Sequence, residues 1–273
     1  MSPPHQPRWR RHALPPRLLA RSCAVLCALA LLAACGAPST SATSSTSAAP
    51  LAPAGQAAPA GTITYVALGA SDAFGVGTDD PDRQNWPNDL AGELGPNIHL
   101  INLGLPGATL AQATRDELPI ALDAHPNIVT VWLAVNDFDL GIEYAPGIGQ
   151  QLSGQPTGPD AATYGQQLTS LLATLRQNTT AQVYVANLPD LLLVPYFNGK
   201  DPAGLSARVA AWNAVIAAAC AREGAHLVDL ASAWQDLADH PEYISQDGLH
   251  PSTIGAQRLA DAFAAAIRQH GGP

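Results

Sequence analysis

Residues 66–77 read VALGASDAFGVG: an apolar run that stops at Gly69 and delivers Ser71, with Asp72 directly behind it. Ser, Asp and Gly are the residues of polar turns, and the same residues present a serine nucleophile at the rim of a sheet. Twelve residues leave both readings open. The order of elements around them decides.

Apolar runs of strand length recur along the chain, as TITYVAL (62–68), IHLINLG (98–104), IVTVWLAV (128–135), AQVYVANL (181–188) and AHLVDL (225–230). They are continuous rather than alternating, which predicts strands buried on both faces. Segments with helical spacing lie between and after them: 85–95, 109–124, 160–177, 205–224 and 253–269. Strand followed by helix, five times over, predicts an α/β domain with a parallel sheet covered on both sides by right-handed crossovers. In such sheets the working residues sit on loops just past the carboxyl ends of the strands.

Polar groups occur at those places. NLGLPGATL carries Asn102, Gly104 and Gly107, LAVNDFD carries Asn136 and Asp137, and QDGLHPST, ahead of the last helix, carries Asp247 and His250. Acyl transfer explains the combination. A serine hydroxyl needs a base, and histidine is the usual one. His250 is the candidate base for Ser71. A carboxylate must orient the imidazole and stabilise its positive charge, and Asp247, three residues earlier on a turn with Gly248, is within reach. Pro251 suits the first turn of the closing helix. The oxyanion of the tetrahedral intermediate needs donors, for which the candidates are the amides of Ser71 and Gly104 and the side chain of Asn136.

With these residues in view, the chain resembles the SGNH hydrolases, also called GDSL esterases and lipases. The four marker residues correspond to Ser71, Gly104, Asn136 and His250, and the Asp-x-x-His pattern corresponds to Asp247–His250. The resemblance implies a flavodoxin-like, three-layer α/β/α fold with a five-stranded parallel sheet. It also implies hydrolysis of an acyl or acetyl ester through a Ser-His-Asp acyl-enzyme, with no metal and no cofactor. Two departures stand out: Gly69-Ala70-Ser71 where the family motif reads Gly-Asp-Ser, and Ala134 where the family often has glycine before Val-Asn-Asp. Neither removes a chemical group. The elbow G-x-S-x-G of the ordinary α/β-hydrolases does not fit, because Ala73 holds its last position.

The ends of the chain give its organisation. Arg8, Arg10, Arg11, Arg17 and Arg21 make a basic leader, and AVLCALALLAAC supplies an apolar run of secretory-signal length. The run is too short for a membrane span. It ends in LAAC, which resembles the lipobox of bacterial lipoproteins, so residues 1–34 are expected to be a signal peptide and Cys35 the lipidated N-terminus. Residues 35–60, Ala, Ser, Thr and Pro without charge, read as a flexible tether. Residues 61–271, roughly 210, suffice for one hydrolase domain. The expected location is the outer face of the cell membrane, held there by the lipid on Cys35 and acting as a monomer on a small-molecule or polymer-borne ester.

Charge agrees with export. The chain has 13 basic and 22 acidic residues; without the five leader arginines the net charge is about −14. Nucleic acid is therefore not an expected partner. With Cys23 and Cys27 in the leader and Cys35 lipidated, Cys220 is left as a small buried thiol on a helix. Asn178, in an Asn-Thr-Thr pattern, reads as a polar helix end. Residues 139–160, rich in Pro and Gly, read as a loop walling the substrate site. Two rival readings have their own signatures. A non-catalytic ligand-binding lipoprotein on the same fold would keep the pocket without turnover. A metal-dependent hydrolase would use Asp247 and His250 with His240 or Asp72, but no cysteine or further strand-end histidine completes a shell.

Overall fold

The computed structural model describes residues 61–140, 158–199 and 201–272. The leader, Cys35, the 35–60 tether and most of the predicted 139–160 loop lie outside the described residues. Five strands form one parallel sheet: β1 (Ile63–Gly69), β2 (Ile98–Asn102), β3 (Ile128–Trp132), β4 (Gln182–Ala186) and β5 (His226–Val228). The helices are α1 (Ser71–Phe74), α2 (Trp86–Leu94), α3 (Leu110–Asp116), α4 (Leu118–Asp123), α5 (Ala134–Leu140), α6 (Ala161–Asn178), α7 (Pro202–Glu223), α8 (Leu230–Ala233) and α9 (Thr253–Gln269).

The strands lie in the order β2-β1-β3-β4-β5, with Tyr65 beside both Leu100 and Ile128. From β1 the chain first steps one way to β2, then back past β1 to β3. Crossovers of one hand that run in opposite directions lie on opposite faces of a sheet. Accordingly α2 packs with α9, and α3, α4 and α7 pack with α6. Stacking of Trp86 on Phe263, 4.6 Å between centroids, joins α2 to α9, and Tyr164 against Trp212 at 4.5 Å joins α6 to α7. The central strand β3 is buried throughout, as its Ile-Val-Thr-Val-Trp sequence demands of a strand covered on both faces.

The direction change between β1 and β3 opens a crevice at their carboxyl ends, where open α/β sheets bind ligands. Ser71 follows β1, and Asn136 lies in the helix that follows β3.

Four sequence expectations are revised. The apolar run predicted as a strand to Val135 leaves the sheet after Trp132 and becomes helical at Ala134. The single helix predicted over 109–124 breaks at Glu117, with Pro119 in the first turn of α4, the one place where proline costs a helix nothing. The strand predicted over 225–230 is only three residues long. Pro251 is not in the closing helix: Ser252 caps α9, and Pro251 bridges antiparallel to Ile244. Two details match: Asn178 is the last residue of α6, its side chain donating to the Thr174 carbonyl at 2.7 Å, and Cys220 is buried on α7 with its thiol pushed up to about 12 by burial.

Candidate active site

β1 ends in a tight reversal. Gly69 is its last residue, and the chain enters α1 at Ser71, whose N–H, like the others of a first helical turn, has no intrahelical acceptor. On the far side of the crevice, the segment between Tyr243 and Ser252 folds back on itself. Ser245 donates its N–H to the His250 carbonyl at 2.8 Å, and the side chain of Asp247 closes the turn.

Asp247 grips that turn with both oxygens. Oδ1 accepts the backbone N–H groups of Leu249 (2.8 Å) and His250 (2.9 Å) and the Ser245 hydroxyl (2.8 Å); Oδ2 lies 2.6 Å from His250 Nδ1. Burial raises its carboxyl, but the two amides, the imidazole and the hydroxyl outweigh that and hold it at about 2. It is therefore ionised at neutral pH. An ionised partner draws the ring proton of a neutral imidazole onto Nδ1, which leaves Nε2 as an acceptor. Nε2 stands 2.8 Å from Ser71 Oγ. Serine, imidazole and carboxylate thus form one hydrogen-bonded line across the crevice.

The donors are placed less simply. Asn136 gives one hydrogen of its side-chain amide to the Ala108 carbonyl at 2.8 Å, which fixes its orientation and leaves the other hydrogen free to donate. It lines the same cleft as Ser71 and His250. Gly104, expected as an oxyanion donor, has its N–H directed to Asn102 Oδ1 at 3.0 Å. Its lack of a side chain has another cause, because a Cβ there would lie 2.7 Å from the Phe74 nitrogen and 2.8 Å from Ala73 Cβ. Gly104 lets β2 approach α1; Asn102 completes that brace by donating to the Ala73 carbonyl at 2.7 Å. Gly107 is a further candidate donor, which the marker residues do not include. Next to Ala108, it has nothing within 4 Å of the point where a Cβ would lie, and its N–H meets no acceptor among the described residues. Its signal in the sequence is the second glycine of NLGLPGATL.

Two further carboxyls sit behind the nucleophile. Asp72 accepts from Trp86 Nε1 at 3.2 Å; burial pushes it up to about 6 against that bond and the nearby His250. Glu117, buried at the junction of α3 and α4, accepts the Gly69 N–H at 3.1 Å, and its Oε1 meets no partner among the described residues. Burial pushes Glu117 up to about 8; the Gly69 bond opposes this, and Asp72 and Asp116 add to it. Among the described residues, no three His, Cys, Asp or Glu side chains gather as a metal ion would need.

Comparison with known proteins follows the same lines. Residues 67–258 match the model of the GDSL-like Lipase/Acylhydrolase family. The fold resembles that of LAE5, an alpha/beta hydrolase enzyme from the metagenome of Lake Arreo, Spain, at 20% identity, with 76% of this chain and 95% of that one covered and a TM-score of 0.60. It resembles the lipase/acylhydrolase from Enterococcus faecalis at 17% identity, 77% and 97% coverage and a TM-score of 0.57. It also resembles the acetyl xylan esterase AlAXEase at 16% identity, 75% and 100% coverage and a TM-score of 0.57. No curated protein matches the chain.

Proposed function

We propose, from the premise that this chain belongs to the GDSL-like lipase/acylhydrolase family and has the three-layer α/β/α fold of the SGNH hydrolases, that it cleaves a carboxylic ester through an acyl-enzyme on Ser71. The observation that carries the reading is the line from Ser71 Oγ through His250 to Asp247, 2.8 Å and 2.6 Å long. Names among the structural neighbours, an acetyl xylan esterase and a lipase/acylhydrolase, support an ester as substrate.

In this reading Ser71 Oγ bonds to the ester carbonyl carbon as its proton passes to His250 Nε2, and Asp247 offsets the charge on the imidazolium. The carbonyl oxygen becomes an oxyanion, which accepts from the Ser71 amide, the free hydrogen of the Asn136 side chain and the Gly107 amide. Collapse breaks the bond to the alcohol oxygen, which takes the proton from His250 and leaves. Water then gives its proton to His250 and adds to the acyl carbon. A second collapse returns that proton to Ser71 and releases the carboxylic acid.

A fluorophosphonate probe, which bonds covalently to an activated serine, tests this directly. The protein is expected to label and Ser71→Ala is not. Absence of labelling in the unaltered protein would favour the binding-lipoprotein reading.

The lipobox at Leu32–Cys35 supports a second part of the proposal, that the enzyme is exported and tethered to the outer face of the membrane by acyl chains on Cys35. Metabolic labelling with an alkyne fatty acid is expected to mark the protein and to miss Cys35→Ser. Equal labelling of both would remove the tether from the reading.

A further inference from the structure

Glu117 is a buried acid that the proposed reaction does not use, and it reaches the nucleophile through one residue. Its backbone is held between two short helices: its N–H donates to the Ala113 carbonyl in α3, and its carbonyl accepts the Ala121 N–H in α4, both at 2.9 Å. From that mount the residue, 4% exposed, meets Gly69, two residues before Ser71. Gly69 is the last residue of β1 and lies level with Trp132 of β3. On its other side β2 ends at Asn102, and the loop that follows bonds the Gly69 carbonyl through the Leu105 N–H at 3.2 Å. The Gly69 N–H donates instead to Glu117 Oε2 at 3.1 Å. Gly69 also lies directly against α1, where an added Cβ would stand 2.4 Å from Ala73 Cβ. In so closely packed a place, a shift of Gly69 moves the helix that begins with Ser71.

The charges around Glu117 suit an acid that keeps its proton. Asp72 of α1 and Asp116 at the end of α3 both oppose a negative charge on it, and α4 adds another acid, Asp123. The cations of the neighbouring helices are engaged elsewhere. Arg115 forks onto Asp116 at 2.6 and 2.8 Å, and Arg176 of α6, which packs on α3 and α4, bonds Glu223 at 3.1 Å. We propose that Glu117 is a positioning residue for Ser71: as a neutral acid it fixes the end of β1 and the start of α1, and its ionisation slows attack by the serine. The inference rests on the reading of Ser71 as the nucleophile of an ester hydrolase. Attack places negative charge on the substrate oxygen beside the Ser71 amide, and a second negative charge fixed behind Gly69, in a poorly screened interior, opposes it.

The test follows the rate at which a fluorophosphonate bonds to Ser71 in the full chain, a readout of the serine that assumes no natural ester. Burial pushes Glu117 up to about 8. With the acid form as the working form, the labelling rate of the unaltered protein is expected to fall above that value, approaching roughly tenfold per pH unit. Glu117→Gln keeps a neutral acceptor for the Gly69 N–H and is expected to show no such fall. Asp72 and His250 are present in both proteins, so the difference belongs to Glu117. Glu117→Ala removes the acceptor and is expected to label at least ~10-fold more slowly than Glu117→Gln near neutral pH, in line with the loss that a small misplacement causes. Unchanged circular dichroism, and recovery of the rate on return to neutral pH, separate these effects from unfolding. The comparison of the unaltered protein with Glu117→Gln decides the question even where Glu117→Ala does not fold. The same fall in Glu117→Gln, no fall in the unaltered protein, or equal rates for the two variants overturns the positioning role alone. No labelling of the unaltered protein at any pH overturns the reading of Ser71 as nucleophile and this inference with it.

Discussion

Asp247 holds His250 at two points, the ring Nδ1 at 2.6 Å by one carboxylate oxygen and the backbone N–H at 2.9 Å by the other. The same carboxylate therefore sets both the path of the loop and the tautomer of the base. Asp247→Asn keeps the size of the side chain and an oxygen for the amides but removes the charge that holds a proton on Nδ1. Its kcat is expected to fall roughly 10²–10⁴-fold with circular dichroism unchanged. A variant with near-normal kcat would sever Asp247 from the mechanism.

Asn136 and Gly104 are paired by the family resemblance, and the structure gives them different work. Asn136→Ala removes a side-chain donor and is expected to lower kcat ~10²–10³-fold with little change in Tm. Gly104→Ala instead drives a Cβ into the backbone of α1. It is expected to unfold earlier, by ~1–3 kcal/mol of overpacking. If Gly104→Ala kept its Tm and lost activity, the brace assigned to Gly104 would be wrong.

Glu117 gives a pH signature. Its carboxyl ordinarily titrates near 4.5 and is pushed up to about 8 in the fold, burial being the main cause. Between those values the folded chain keeps a proton that the unfolded chain has lost, so raising the pH through this window favours unfolding. Above about 8 the loss is complete. Glu117→Gln cannot titrate, while Asp72 and Asp137, also raised, titrate in both proteins. From about pH 5 to about pH 8 the unaltered protein is expected to lose roughly 10 °C more in Tm than Glu117→Gln, which corresponds to a few kcal/mol. Parallel curves would refute the assignment.

Two glycines make opposite predictions. At Gly77 φ is +99°, and a Cβ would lie 2.5 Å from the Pro251 carbonyl oxygen and 2.8 Å from His250 Cβ. Gly77→Ala is expected to push the base away from Ser71 and cut kcat at least ~10²-fold, the order of loss for a small misplacement of a reacting group. Gly92, exposed on α2, has nothing within 4 Å of the point where an added Cβ would lie. Gly92→Ala is expected to raise stability by ~0.5–1 kcal/mol and leave activity alone, measured by urea midpoint and ester turnover.

Much of this architecture is legible in the sequence because burial on both faces writes a strand as an unbroken apolar run, and Ser71, Asn136 and His250 each follow such a run or stand ahead of the last helix. What escapes is tertiary. Leu133, Ala134 and Val135 are as apolar as the strand before them, and apolar character alone does not separate a buried strand from a buried helical turn. The choice between Gly104 and Gly107 depends on where the Asn102 side chain points. Glu117 reads as one more polar helical residue, since its partner Gly69 is 48 residues away, at the end of β1.

The contact between Ser71 and His250 joins positions 179 residues apart, almost the full span of the domain. A chain emerging from its N-terminal side displays Ser71 early and receives His250 only near the close of synthesis. On the proposed mechanism, ester turnover is expected to be a readout of completion, since a fragment ending before residue 250 would lack the base assigned to Ser71. The two halves of the proposed site therefore meet only once the closing segment is in place.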